Sequence, residues 1–243
     1  MREHRIYCSQ PLHRGEQVLL DEGAARHLTQ VLRLKSGAEI VLFDGSGHDY
    51  AASLLSAGRR ECVAKVGECL GEEALPPLHL HLAIGISRGE RMDFSIQKAV
   101  ELGVSEITPL FSARSMVQLK GERLYNRLEH WRGVIRHACE QSGRSRLPQL
   151  HAAVELPRWL DDFQGDGLML DHRADTPLVD LPPPQGALTL LVGPEGGLSP
   201  EERELAQQHR LRGVRMGPRV LRTETAPLAA LAVIQALWGD FHD

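Results

Sequence analysis

The residues best placed to do chemistry fall in two short stretches near the carboxyl end. The first, Gly193-Pro194-Glu195-Gly196-Gly197, follows the apolar run Leu188–Val192 and precedes Ser199-Pro200-Glu201-Glu202. It is neither a GxxxxGKS/T phosphate loop nor a GxGxxG dinucleotide fingerprint. The Ser-Pro-Glu-Glu sequence predicts a capping box, with Ser199 as N-cap, Pro200 at the first helical position and Glu202 reaching back. A helix start occupied in this way offers carboxylates where a phosphate needs free N–H groups. A nucleotide pyrophosphate is therefore disfavoured, and a neutral or cationic ligand suits the loop better. The same residues are also compatible with a plain tight turn. In the second stretch, Met216–Ala226, Gly217 and Pro218 set a turn, and Arg219 and Arg222 supply forked donors. Arg222 is suited to a carboxylate, a phosphate or a developing anion, and an ion pair with Glu224 is its competing structural use. Two strand-to-loop transitions this close together read as two walls of one ligand pocket, because open α/β sheets bind ligands at the carboxyl ends of their strands.

The elements that hold these loops divide the chain in two. Residues 1 to about 70 are rich in short strand patterns: Arg5–Cys8, Gln17–Leu20, Glu39–Phe43, Asp49–Leu55 and Glu61–Val66, interrupted by one amphipathic helix over Ala24–Leu34. Asp44-Gly45-Ser46-Gly47 marks a hairpin, and the whole suggests a small barrel. Gly71–Pro77 reads as a linker. Beyond it, Leu78–Ile86, Arg91–Leu102 and Glu106–Phe111 form a strand, a helix capped by Gly103, and a second strand, which is a βαβ unit with parallel strands. A long helix over Glu122–Gln141 follows, stopped by Gly143 and Pro148, and then strands at Leu168–Asp171, Leu188–Val192 and Val214–Met216. The last helix, Ala226–Leu237, has Gln235 as its only polar side chain. It must be buried, against the sheet on one side and against a partner subunit on the other.

At 243 residues, with 42% hydrophobic and 25% charged side chains, the chain has the make-up of a globular protein. No apolar run approaches the roughly 20 residues needed to cross a bilayer, and the amino terminus lacks a signal-peptide core, so a cytoplasmic location without membrane attachment is expected. The four cysteines (Cys8, Cys62, Cys69, Cys139) show no CxxC and no zinc spacing, which predicts four buried, reduced thiols and no metal. No GxSxG element or Cys-His pairing indicates a hydrolase. His137, His172 and the other histidines have no orienting partner in sequence. The net charge of −4 hides strong segregation: eight Lys/Arg face three acids over Ser112–Arg146, six arginines face one acid over Arg203–Arg222, and seven acids face two arginines over His151–Ala187. Such patterning fits either solvated helix faces or a basic surface that follows a phosphate backbone. Arg26, His27 and Arg33 on the first helix, and Arg144 and Arg146 after the long one, are candidates for that surface.

Four segments, KAVELGVSEITPLFSARS, HACEQSGRSRLP, LVGPEGGLSPEE and RMGPRVLRTETA, resemble those of the RsmE family, the ribosomal RNA small-subunit uridine N3-methyltransferases of the SPOUT class. The resemblance extends to the N-terminal HRIY, RHLTQVLRL and DGSG, and so to essentially the whole chain. It implies a PUA-like β-barrel over residues 1–72 and, over 73–243, an α/β SPOUT domain with a parallel sheet and a deep trefoil knot. Sequence physics alone does not propose a knot, since chains rarely thread. It further implies a homodimer, S-adenosylmethionine as methyl donor, and one uridine near the 3′ end of 16S rRNA, in the small ribosomal subunit, as target. Carried onto this chain, the cofactor pocket falls on Leu170, Val192, Gly193, Glu195, Gly196, Gly197, Met216, Gly217, Val220, Leu221, Thr223 and Ala226. On the chemistry of the reaction itself, Arg222 and Glu224 are assigned the catalytic roles of anion stabiliser and proton acceptor, with a water as the alternative acceptor and ribose binding or helix capping as the alternative uses of Glu224. Arg5, Arg88 and Arg219 join Arg26, His27, Arg33, Arg144 and Arg146 as expected RNA contacts. Two rivals stay open, a SPOUT methyltransferase acting on tRNA and a catalytically silent RNA-binding relative. A sulfonium is cationic, which agrees with the ligand class drawn from the first loop.

Overall fold

The computed structural model describes residues 4–58, 61–117 and 119–242. The chain forms two compact units, one of Met1–Leu75 with Arg136–Leu147 and the other of Pro76–Ile135 with Pro148–Asp243. The first unit thus takes in a segment that sequence alone placed with the second.

In the first unit, β1 (Arg5–Tyr7), β2 (Gln17–Leu20), α1 (Glu22–Arg26), β3 (Glu39–Phe43), β4 (His48–Ala57) and β5 (Cys62–Glu72) follow in order. The strands make a mixed sheet in the order β1-β3-β4-β5-β2, in which only β1 and β3 are parallel. Alternation drives the packing, because side chains two apart share a face. Val18 and Leu20, Ile40 and Leu42, and Cys62, Ala64 and Val66 all point into one core with Ile6 and Leu28. At the expected hairpin, Gly45 and Gly47 take φ of +91° and +105°, and Asp44 accepts the Ser46 N–H at 3.0 Å and the Leu12 N–H at 3.1 Å. The single helix expected over Ala24–Leu34 starts earlier and is not uniform. Asp21 caps α1 by accepting the Ala24 N–H at 2.8 Å, and His27–Val31 then widens into a π-helical turn in which Leu32 N–H reaches the His27 carbonyl at 3.0 Å. Arg33, at φ +57°, ends it.

The second unit contains β6 (Leu80–Gly85), α2 (Glu90–Glu101), β7 (Glu106–Phe111) and the start of α3 (Gly121–Ser142). After α3 come β8 (Gln149–Leu150), β9 (Val154–Glu155), α4 (Leu156–Asp162), β10 (Asp166–Leu170), β11 (Leu188–Val192), α5 (Pro200–Gln208), β12 (Leu211–Val214) and α6 (Thr225–Trp238). Every pairing in its sheet is parallel, in the order β12-β10-β11-β6-β7-β8, with β9 also on β7. All five residues of β11 are buried, as a central parallel strand covered on both faces requires. The last strand, expected at Val214–Met216, starts three residues earlier and ends at Val214, and Gly217 follows at φ +78°. Gln235 explains its place in an apolar helix: it is buried, donates to the Leu102 carbonyl at the end of α2 at 2.8 Å, and accepts the Asp240 N–H at 3.2 Å. No described helix is long and apolar enough to cross a membrane. All four cysteines are free, but Cys69 is exposed, which corrects the expectation of four buried thiols. Its strand, β5, continues to Glu72 with the outer residues in solvent.

Candidate active site

Parallel strands deliver their carboxyl ends to one edge, and here the loops after β10, β11 and β12 enclose a single cavity of about 460 Å³. Of the twelve residues assigned to a cofactor pocket, eleven line it, and only Gly217 does not. Arg219, Arg222 and Glu224 line it as well. The two loops are tied directly, because the Thr223 hydroxyl donates to the Gly193 carbonyl at 3.1 Å.

The first loop is held from outside. A Cβ on Gly85 would lie 2.5 Å from Pro194 N and Cδ, so the end of β6 lets the loop lie against it only because that residue is glycine. The predicted capping box is present: the Ser199 hydroxyl accepts the Glu202 N–H at 3.2 Å and Glu202 Oε2 accepts the Ser199 N–H at 2.8 Å. Glu202 is buried, and its other oxygen accepts the Ala113 N–H at 2.7 Å. Next to Ala113, Arg114 Nη1 donates to the Gly196 carbonyl at 3.1 Å. One carboxylate therefore fastens the helix start to the segment that overlies the glycines.

Glu195 Oε1 accepts the Arg88 N–H at 2.9 Å and lies 3.3 Å from Arg91 Nη1, while Oε2 is buried with no partner. Burial would raise this carboxyl, but the Arg88 N–H and the Arg91 guanidinium outweigh it and hold the pKa below the ordinary range. Arg222 is exposed at the cavity, and neither it nor Glu224 makes an ion pair with another described residue, so the competing use as a mutual salt bridge is not found. Glu224 is the N-cap of α6 yet gives no side-chain cap, which leaves its carboxylate available.

Sequence reasoning missed several cavity residues, among them the charged Asp171, Arg173, Arg91, Arg114 and Arg203. Asp171 follows β10 and sits 3.4 Å from Arg203 and 3.5 Å from Arg173. Its only sequence signal is an acid at the carboxyl end of an apolar strand.

The expected RNA contacts divide sharply. In the first unit Arg5 pairs with Asp49 at 2.5 and 2.9 Å and donates to the Ser145 hydroxyl at 2.9 Å, with its side chain only 13% exposed. Arg144 lies 3.6 Å from Glu73, and Arg146 binds Glu72 at 2.6 Å and the Ser46 and Glu73 carbonyls. These three hold the first unit together instead of facing a ligand. Arg26 is exposed beside Glu22, His27 is half-buried and Arg33 is exposed. In the second unit Arg88 and Arg219 are exposed.

Comparison with known proteins agrees with this geometry. Residues 74–235 match the model of an RNA methyltransferase domain, and residues 20–67 that of an RNA methyltransferase PUA domain. The ribosomal RNA small subunit methyltransferase E of Mycobacterium bovis is 31% identical over 92% of this chain and 87% of its own length, and that of Bacillus subtilis is 30% identical over 86% and 85%. The enzyme of the same name from Neisseria gonorrhoeae, solved bound to S-adenosyl methionine, superposes with a TM-score of 0.93 at 38% identity, covering 98% of this chain and 99% of that one. A Legionella pneumophila methyltransferase with bound cofactor gives 0.95 at 36% identity, over 99% of this chain and all of that one. With a PUA-like unit ahead of a parallel-sheet SPOUT domain, the chain belongs to the RsmE family of RNA methyltransferases.

Proposed function

We propose that this protein transfers a methyl group from S-adenosylmethionine to N3 of one uridine near the 3′ end of 16S rRNA in the small ribosomal subunit. The observation that carries the reading is the two-loop cavity with an uncommitted Arg222 at its side, in a chain matching cofactor-bound relatives over nearly its full length. The residues present suit the cofactor: glycines at 193 and 196 stand where a Cβ would come within 2.9 Å of neighbouring atoms, and among six lining arginines Glu224 is the lining acid that keeps a carboxylate free of ion pairs with described residues. Leu170, Val192 and Val220 supply apolar walls. S-adenosylmethionine supplies an electrophilic methyl on a sulfonium, so the protein's work is alignment more than covalent catalysis.

Uracil N3 must lose its proton to attack, and the resulting charge spreads onto the two flanking carbonyl oxygens. Arg222 donates to those oxygens, and Glu224 or a water takes the proton. The target base must be unstacked to expose N3, which favours a loop or splayed nucleotide. Arg219 and Arg88 on the second unit, and Arg26, His27 and Arg33 on the first, contact phosphates and make binding salt-dependent. The apolar residues of α6 outside its buried face, Leu228, Ala232, Val233 and Leu237, pack against a second copy in a homodimer. The enzyme acts in the cytoplasm, where its substrate is assembled.

Tritiated S-adenosylmethionine offered with small-subunit particles, naked 16S rRNA and tRNA in competition tests the assignment. Label is expected in the small-subunit RNA, and label in tRNA alone overturns the reading. Arg222→Ala is expected to lower turnover by about 10²–10³ with cofactor binding retained. Full turnover would remove Arg222 from the mechanism. A loss confined to cofactor affinity in Glu224→Gln would make that residue a binder instead of a proton acceptor.

A further inference from the structure

Three side chains that the methyl-transfer reading leaves unused converge at the opposite end of the same sheet. His81 is the second residue of β6, Glu106 opens β7, and His151 directly follows β8. Register places them together, since His81 pairs with Glu106 and Gln149 also pairs with Glu106. Alternation then puts His81, Glu106, Thr108 and His151 on one face of three adjacent strands. Their potential ligand atoms all lie within 4.8 Å of one another. His151 Nε2 is 2.6 Å from Glu106 Oε2, and the rings of His81 and His151 are 5.6 Å apart, centre to centre. All three are half-buried.

We propose that His81, Glu106 and His151 form a binding site for a divalent transition metal of the zinc class, distinct from the methyl-transfer cavity. Two imidazoles and a carboxylate are the nitrogen and oxygen donors that zinc, cobalt(II) and nickel(II) accept. A tetrahedral ion with bonds of about 2.0–2.1 Å holds its ligand atoms about 3.3 Å apart. The observed separations, from 2.6 to at most 4.8 Å, bracket that value, so side-chain rotation of about 1 Å closes the site on rigid strands.

Supporting partners are in place too. The Thr108 hydroxyl sits 2.8 Å from His81 Nε2 and fixes that ring, and His79 Nε2 is 2.7 Å from the second oxygen of Glu106. Such outer contacts orient ligands in metal sites. Trp159, edge-on to His81 at 6.1 Å, walls one side with apolar surface. A hydrogen-bonded cluster alone would satisfy Glu106 with His79 and His151, and His81 Nε2 with Thr108, but it leaves His81 Nδ1 without a hydrogen-bond partner among the described residues. An ion between the two rings would give it a partner. Bound there, it would cross-link the amino ends of β6 and β7 to the residue that follows β8.

The full-length protein, stripped with a chelator and then given one equivalent of zinc, tests this by metal analysis after gel filtration. About one zinc per chain is expected, with a thermal midpoint raised by roughly 5–10 °C at a hundredfold excess over Kd. His81→Gln and His151→Gln are each expected to lower affinity at least tenfold, while His172→Gln retains full binding. Should either variant fail to fold, X-ray absorption of the zinc-loaded wild type decides, and the expected spectrum has a nitrogen and oxygen shell with two imidazoles and no sulfur. Wild-type protein that retains less than a tenth of an equivalent, folded His81 or His151 variants that bind as wild type, or a sulfur-containing shell would overturn the proposal.

Discussion

Replacing Glu202 strikes the first loop at its anchor. The carboxylate is buried and accepts two backbone N–H groups, Ser199 at 2.8 Å and Ala113 at 2.7 Å. In Glu202→Ala the Ser199 donor stays buried without a partner, at about 1–3 kcal/mol, whereas Ala113 is exposed and regains water, so that only the net worth of a charge-assisted bond, about 1.5 kcal/mol, is lost. The variant should therefore be less stable by roughly 2.5–4.5 kcal/mol, and Glu202→Gln, which keeps one acceptor, by about half of that. Urea unfolding with an unchanged slope measures it. Because Ala113 adjoins the Arg114 that holds the Gly196 carbonyl, affinity for S-adenosylhomocysteine, read by calorimetry, should fall about tenfold, or ~1.4 kcal/mol. An alanine variant within about 0.5 kcal/mol of wild type, the range of an ordinary surface change, would refute the anchoring argument. Lower stability with unaltered ligand affinity would refute only the link from Glu202 to the glycines.

Gly85→Ala should destabilise by about 1–3 kcal/mol and weaken S-adenosylhomocysteine binding, because its Cβ meets loop backbone that cannot yield cheaply. Normal affinity by calorimetry would count against the close approach. Gln235→Leu removes both hydrogen bonds that the buried amide makes, to the half-buried Leu102 carbonyl and Asp240 N–H, and should cost about 1–3 kcal/mol in urea unfolding. Native protein treated with iodoacetamide at pH 8 should label at Cys69 alone, since Cys8, Cys62 and Cys139 are buried and burial pushes the Cys139 thiol up to about 12. Peptide mapping that finds Cys139 modified first would contradict this. For Glu195, a carboxyl held below its ordinary value of 4.5 contributes stability above that value and loses it as pH falls through the lower folded value. The stability gap between wild type and Glu195→Gln should be flat from about pH 6 to 8 and shrink below about pH 4.5, as denaturation at stepped pH would reveal.

What was legible in the sequence was whatever local chemistry decides. The capping box at Ser199–Glu202 is specified by four consecutive residues, and the Asp44–Gly47 hairpin by glycines that alone tolerate its positive φ. The two pocket walls follow from strand-to-loop transitions and needed no long-range knowledge. Illegible features all depend on partners far away in the chain. Nothing around Arg5 announces Asp49 or Ser145, so a basic residue meant for internal pairing reads the same as one meant for phosphate. His81, Glu106 and His151 lack metal spacing in sequence because the sheet register, not the chain, makes them neighbours. The helix α4 escaped notice because seven residues carry barely two turns of periodicity. The π-helical turn at His27–Val31 shares its apolar pattern with an ordinary helix, and only the bond from Leu32 to His27 tells them apart.

The strand order explains why the cavity has no local origin. β11 lies between β10 and β6, so the loop it carries is flanked on one side by a strand that precedes it by only 17 residues and on the other by one 102 residues earlier. Each wall is then fastened by residues that are remote in the chain: Gly85 and Arg88 from around β6 and α2, Ala113 and Arg114 from beyond β7, and Thr223 from the second loop. Removing any one fastening leaves the glycine loop with its local turn but without its position. The second loop, in turn, carries Thr223 bonded inward to Gly193 and its neighbours Arg222 and Glu224 in the cavity lining, so a shift that breaks the inner bond also moves both of the side chains proposed to act on the uracil. On the proposed roles, cofactor affinity and turnover are coupled through residues 222–224. That coupling is the physical reason for expecting substitutions at Thr223 to lower both, and substitutions at Arg222, which holds nothing in place, to lower turnover alone.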